Sequence, residues 1–140
     1  MSNEFNCSLM HQFHRASQLA DEAFSAAATQ HELTPRQFVV LAATADHDGL
    51  SQTSIVKLTG IDRSTIADIT RRMTQTGLLS RQRTKADARA YAVRITEQGR
   101  TVLDATKNTV REVDASLLNK LSPSHREDFK QSLAALLQQH

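Results

Sequence analysis

Residues 51–96 read SQTSIVKLTGIDRSTIADITRRMTQTGLLSRQRTKADARAYAVRIT. Ser51 is a capping residue ahead of a short apolar set, Ile55, Val56 and Leu58. Thr59-Gly60-Ile61 turns the chain, because glycine accepts the left-handed conformation that follows a helix end. Asp62 then caps a second helix that lasts to about Thr76 and stops at Gly77. Two alternating stretches follow, 78–83 and 89–95, and Lys85-Ala86-Asp87-Ala88 lies between them. This tip has no Asn-Gly or Asp-Gly turn, which predicts a longer loop. Helix, tight turn, helix and basic hairpin, in that order, predict a winged helix-turn-helix. Such a unit fits double-stranded DNA: a helix enters the major groove and the ribbon reaches the backbone or minor groove.

Outward from this segment the pattern is helical. Met10, Phe13, Ser17, Ala20, Phe24 and Ala27 step by three and four, which predicts a helix over about 6–30. Thr34-Pro35-Arg36-Gln37 carries a cap, a first-turn proline and a capping-box glutamine. The helix it starts runs to about Ala45, with Phe38, Leu41, Ala42 and Ala45 inward, and a loop follows at 46–49. Thr96 can cap a long helix over 97–120 with Leu103, Thr106, Val110, Val113, Leu117 and Leu121 on its stripe. Ser122-Pro123 starts a last helix carrying Phe129, Leu133, Leu136 and Leu137. The fold class is therefore mainly α with a small β-hairpin wing. A helix of roughly 36 Å exceeds what one small domain covers, so residues 1–32 and 97–140 are expected to form dimerisation helices around a lobe at 33–96. The whole is read as a single domain over 1–140.

Bulk properties agree with this reading and exclude others. The chain has 140 residues, 39% of them hydrophobic, which is enough for a core. Four glycines and two prolines are too few for the turns of an all-β domain. The net charge is only +2, but residues 62–94 hold eight basic and three acidic side chains, a local +5. The rest holds nine basic and twelve acidic side chains, or −3. A positive surplus confined to the proposed reading head points to a localised anionic partner. One cysteine excludes an intramolecular disulfide. No apolar run is long enough to span a membrane and the first residues do not form a signal peptide, so a cytoplasmic protein is expected.

Helical phase separates the faces of the 62–76 helix. Ile66, Ile69 and Met73 fall on the packing side; Ser64, Asp68, Arg71 and Gln75 fall opposite, flanked by Thr65, Ala67 and Arg72. Short hydroxyls near the N-terminus suit phosphates and bases, and Arg71 suits guanine O6 and N7. Asp68 has two readings: it accepts from cytosine N4, or it pairs with Arg71 or Arg72 and orients them. In the hairpin, Arg81, Arg83, Lys85 and Arg89 form a cationic strip, with Asp87 placed to orient Arg89 toward a minor groove. Ser51, Thr53 and Arg63 complete the candidate DNA-binding set.

On these residues the chain resembles the MarR family of bacterial transcriptional regulators. The matching pieces are Leu33-Thr34-Pro35-Arg36-Gln37-Phe38, Ile61-Asp62-Arg63-Ser64-Thr65-Ile66, Gly77-Leu78-Leu79, Asp87-Ala88-Arg89-Ala90 at the wing tip, and 94–100. The resemblance implies an obligate homodimer with interlocked first, fifth and last helices. It implies two recognition helices about one DNA turn apart on a pseudo-palindrome, and a repressor released by a ligand or oxidant. Asp68 stands where many relatives carry a base, and Arg71 where an acid is common, so operator preference does not transfer. Lys85-Ala86 makes the wing tip more basic than usual.

The signal is less legible. The family's default effector is a small aromatic or amphipathic acid, for which Phe13, Arg15, Arg36 and Phe38 are the positional candidates, the two phenylalanines being more readily read as core. Cys7 near a helix start is a candidate redox switch, although the tyrosines expected around such a thiol have no counterpart. His11 and His14 are three apart but complete no metal pattern, so no metal and no cofactor are expected. An effector-free architectural DNA binder is a further possibility. An enzyme ranks last, for want of a nucleotide loop or a nucleophile–base pair.

Overall fold

The computed structural model describes residues 8–28, 33–84 and 91–138. Its elements in chain order are α1 (Leu9–Ala27), α2 (Pro35–Ala45), α3 (Gln52–Thr59), α4 (Arg63–Gln75), β1 (Leu79–Arg83), β2 (Tyr91–Ile95), α5 (Glu97–Leu118) and α6 (Pro123–Leu137). The strands pair antiparallel, from Leu79 opposite Ile95 to Arg83 opposite Tyr91. The mainly helical class with a two-stranded wing is thus as expected, and α1 carries the whole apolar stripe from Met10 to Ala27; the outermost residues of the expected 6–30 range, 6–7 and 29–30, lie outside the described residues. The chain divides into two compact units, residues 28–108 and residues 1–27 with 109–140. The boundary lies inside α5, so the unit that holds residues 33–96 also keeps the first part of that helix.

Local chemistry explains each start and stop in the 28–108 unit. Thr34 Oγ1 accepts from Gln37 N at 3.1 Å while Gln37 Oε1 accepts from Thr34 N at 3.0 Å, a complete capping box. Ser51 Oγ accepts from Ser54 N at 3.1 Å and starts α3. Gly60 ends α3 at φ 72°, where a side chain would be strained. Val40, Leu41, Ile55, Ile66, Met73, Leu79, Val93 and Leu103 form the centre of the core. Ile66, Ile69 and Met73 are buried as their phase requires, but Leu58 is 53% exposed despite its apolar character.

The core also holds polar side chains that apolar periodicity does not reveal. Thr44 and Thr70 are buried, each donating its hydroxyl proton to a backbone carbonyl one turn back: Thr44 to Leu41 O at 2.9 Å, Thr70 to Ile66 O at 2.9 Å. Leu50, just after the 46–49 loop, exchanges both backbone hydrogen bonds with Val93, at 3.0 and 2.7 Å. That bridge adds a third strand position to the wing root.

The wing is closed onto α5 by Thr96. Its hydroxyl donates to Gly77 O at 2.6 Å and accepts from Gly99 N at 3.0 Å, and Thr96 N donates to Leu78 O at 3.1 Å. Gly99 lies against this junction so closely that an added Cβ would overlap the Leu78 carbonyl oxygen and sit 2.8 Å from Ile95 Cγ1.

In the other unit, α1 buries only Phe24, while Met10 and Phe13 of the same stripe are exposed. Phe129, Leu133, Leu136 and Leu137 on α6 are exposed, and no residue of that helix is buried. Arg126 Nε donates to two carbonyls at and just past the end of α5: Leu118 O at 3.0 Å, which also accepts from Leu121 N, and Leu121 O at 3.2 Å. Ser122 occupies the cap position of α6, but its hydroxyl makes no cap bond and instead meets His125 Nδ1 at 3.0 Å. Among the described residues no helix is long and apolar enough to cross a membrane.

Gly99→Ala forces the α5 backbone away from Leu78. We expect it to lower stability by about 1–3 kcal/mol, read as a shifted urea midpoint. A midpoint within error of wild type would show that the junction is not close-packed.

Candidate nucleic-acid interface

The interface is organised by Asp62, the N-cap of α4. Its carboxylate accepts from Thr65 Oγ1 at 2.7 Å, Ser64 Oγ at 2.8 Å and Thr65 N at 3.0 Å. These bonds, the Thr65 hydroxyl first and the Ser64 hydroxyl next, lower its pKa to about 2. The hydroxyl protons of Ser64 and Thr65 are therefore directed at Asp62 rather than outward. Both oxygens retain lone pairs, but a phosphate needs donors, and in this geometry α4 offers it backbone N–H groups and the N-terminal dipole instead.

Farther along α4, Asp68 holds two guanidinium groups. Arg71 Nη2 lies 2.5 Å from its Oδ1 and Arg72 Nε 3.1 Å from its Oδ2. Desolvation opposes the charged form, but the Arg71 hydrogen bond and the Arg72 charge outweigh it and hold the Asp68 carboxyl below its usual pKa. Of the two sequence readings of Asp68, this structure shows the ion pairs. Both arginines remain more than half exposed, and Gln75 is exposed beyond them.

The buried Thr70 joins three elements. Its hydroxyl oxygen lies 3.4 Å from Gln52 Nε2 of α3 and 3.4 Å from Arg81 Nη2 of β1. Gln52 and Thr70 are absent from the sequence-derived site; an inward threonine with no hydrophobic signal is what concealed them. Arg63 Nη1 reaches Thr53 Oγ1 at 3.5 Å, linking the starts of α3 and α4. On the wing, Arg83 lies 5.7 Å from the centre of the Tyr91 ring, its partner across the ladder. The pairing follows from hairpin register, which the sequence leaves undetermined. Arg94 pairs with Asp48 at 3.0 Å, so this base serves the wing root. Lys85, Asp87 and Arg89, and likewise Cys7, lie outside the described residues.

Two cavities lie among the described residues of the 28–108 unit. One, about 250 Å³, is lined by Leu33, Met73, Leu78 and Val102 with the polar Gln37, Arg72, Thr76 and Gln98. The other, about 450 Å³, is bordered by charged groups including Asp46, Asp48, Arg94, Glu97 and Arg100. Neither takes Arg36 or Phe38, the sequence-derived effector candidates on α2; Phe38 packs against the core. Phe13 and Arg15 belong to α1 in the other unit. No group of three or more potential metal ligands forms among the described residues.

Residues 31–90 match the sequence profile of the MarR family. The transcriptional regulator HosA of Escherichia coli O127:H6 is 32% identical over 128 residues, 89% of this chain and 93% of HosA. The chain belongs to the MarR family. It is a DNA-binding transcriptional regulator, not an enzyme. Among solved structures, Bordetella bronchiseptica BpsR, whose DNA binding is regulated by 6-hydroxynicotinic acid, aligns over all of both chains with a TM-score of 0.91 and 26% identity. The transcriptional repressor CouR bound to a 23-mer DNA duplex aligns over 97% of this chain and 96% of CouR, with a TM-score of 0.88 and 27% identity.

Because the Asp62 pKa is lowered, its cap contributes to stability above the unfolded value near 3.8 and is lost as pH falls toward about 2. Asp62→Asn keeps a cap acceptor that does not titrate. The urea midpoints of wild type and variant should therefore approach one another as the pH falls from about 5 to about 2. A gap independent of pH would contradict the assignment.

Proposed function

We propose that this MarR-family member is a homodimeric repressor that leaves a pseudo-palindromic operator when a small-molecule effector binds. The observation that carries the dimer is the uncovered apolar surface of the terminal helices. Leu9, Met10 and Phe13 on α1 and Phe129, Leu133, Leu136 and Leu137 on α6 are exposed in the single chain. Apolar side chains at helical spacing that remain in water are the mark of a missing partner. A second copy is the natural occupant, since a two-fold pair presents two α4 helices to two half-sites. The protein would act in the cytoplasm, where the chromosome is.

In this reading Arg71 and Gln75 meet base edges, while Ser51, Thr53, Arg63, Ser64, Thr65 and Arg72 lie along the backbone. Arg81, Arg83, Lys85 and Arg89 supply wing contacts, with Asp87 steering Arg89 and Asp68 steering Arg71. The effector is supported by the similarity to BpsR, whose DNA binding answers to 6-hydroxynicotinic acid. Repression is supported by the similarity to CouR.

Leu136→Glu combined with Leu137→Glu should yield monomers by sedimentation equilibrium. It should also lower affinity for a duplex selected from a random pool by roughly 10²-fold or more, because linkage of the two heads is lost. A double variant that stays dimeric and binds normally would place the interface elsewhere. Separately, Arg89→Ala should weaken binding across sequences and reduce the salt slope by about 1, read by fluorescence anisotropy; an unchanged slope would remove the wing from the interface.

A further inference from the structure

We propose that Thr70 is a positioning residue of the DNA interface: its buried hydroxyl receives Gln52 of α3 and Arg81 of β1, and so sets where these two side chains meet the duplex. This deepens the DNA-contact reading above and rests on it for Arg81.

Thr70 lies on the packing stripe of α4, with Ile66 and Met73, and is wholly buried. It therefore touches no DNA itself. An apolar β-branched residue would fill that stripe equally well, so the hydroxyl needs a reason. A buried oxygen is costly unless its hydrogen-bonding capacity is used. The proton goes back along the helix to Ile66 O at 2.9 Å, with Ala67 O farther off at 3.2 Å. A hydroxyl oxygen also accepts through its lone pairs. Gln52 Nε2 and Arg81 Nη2 each donate to it at 3.4 Å.

Hairpin register brings the arginine there. Arg81 is two residues from the buried Leu79 and opposite the buried Val93, so it leaves the ribbon on the side that faces the core. Arg81 nevertheless remains exposed, and Gln52, the first residue of α3, is half-buried. A guanidinium keeps further donors when one serves Thr70, and a side-chain amide keeps a second N–H. Each side chain can thus donate to a phosphate while one N–H is held at Thr70.

What Thr70 supplies is order in advance. A long side chain that is immobilised only when DNA arrives lowers affinity, and one already tethered lowers it less. Because one oxygen takes both tethers, Gln52 and Arg81 are set relative to each other as well as to α4. Both contacts are long for N–H···O bonds, so the gain is a few-fold rather than orders of magnitude.

The test measures affinity by fluorescence anisotropy on one duplex, selected from a random pool with the wild-type protein, and melting temperature in parallel. Thr70→Val keeps the shape and removes the hydroxyl. It should melt close to wild type yet bind about three- to tenfold more weakly. Thr70→Ser keeps the hydroxyl and loses a methyl group. It should melt earlier than Thr70→Val yet bind within about twofold of wild type. Gln52→Ala and Arg81→Ala should each weaken binding. Adding Thr70→Val to the variant that carries both should weaken it no further, because the route through which Thr70 acts is gone. Binding that follows melting temperature, or an equal loss from Thr70→Val in that double variant, makes Thr70 a packing residue only and overturns the proposal. If Gln52→Ala or Arg81→Ala leaves binding unchanged, that contact is absent and the proposal falls with it. If both weaken binding and Thr70→Val does not, the role of Thr70 alone is overturned and the DNA contacts stand. If Thr70→Ser does not fold, the comparison of Thr70→Val with and without Gln52 and Arg81 decides.

Discussion

The Thr96 hydroxyl binds the two ends of the wing to each other and to α5. One oxygen donates to the Gly77 carbonyl and receives the Gly99 amide, so the residue that ends α4, the strand that leaves it and the helix that follows the hairpin meet at one atom. The junction works only because Gly77 and Gly99 have no side chains there: Gly77 has φ 83°, and a Cβ on Gly99 would overlap Leu78. From it follow the direction of the hairpin relative to α4, the start of α5, and the small cavity lined by Thr76, Leu78, Gln98 and Val102. Reading helix, wing and cavity are thus set by one hydrogen-bonded contact rather than by three.

Electrostatics then divide α4 along its length. At the N-terminus Asp62 gathers the nearby hydroxyls and one backbone amide, which leaves backbone N–H groups and a favourable dipole for an anion. A turn and a half on, Asp68 holds Arg71 and Arg72, trading some positive potential for defined side-chain positions. Beneath them Thr70 touches Gln52 and Arg81, so the buried face of the helix is polar at the one place where α3 and β1 converge. A wholly apolar seam at that position would remove the one hydroxyl that both side chains reach.

The elements were legible because their end signals and periods agree. Thr34-Pro35-Arg36-Gln37, Ser51, Gly60, Asp62 and Gly77 each combine a residue type with a physical reason to start or stop a helix, and the apolar rows between them have one period. Ile66, Ile69 and Met73 were placed correctly from phase alone. Thr44 and Thr70 were not, because a threonine that returns its proton to its own helix is hydrophobic in effect and polar in name. Leu58 is the converse case: it is apolar yet exposed, since an apolar residue at a helix end has no obligation to be covered. The Asp68 ion pairs were one of two readings, since i,i+3 and i,i+4 spacing permits contact without requiring it. Cavities arise from the convergence of α2, α4 and α5, and residue types along one chain carry no record of that convergence.

The Leu50–Val93 bridge has a mechanical consequence. Leu50 immediately precedes Ser51, the cap of α3, and exchanges two backbone hydrogen bonds with the middle of β2. The root of the wing and the first helix of the helix-turn-helix are therefore one lever. A load applied to the basic hairpin by a phosphate backbone is passed through the peptide at 50–51 into α3, and from α3 through its packing into α4. The spacing between wing and reading helix is established when the chain folds. Their alignment then costs little entropy when both engage the same duplex.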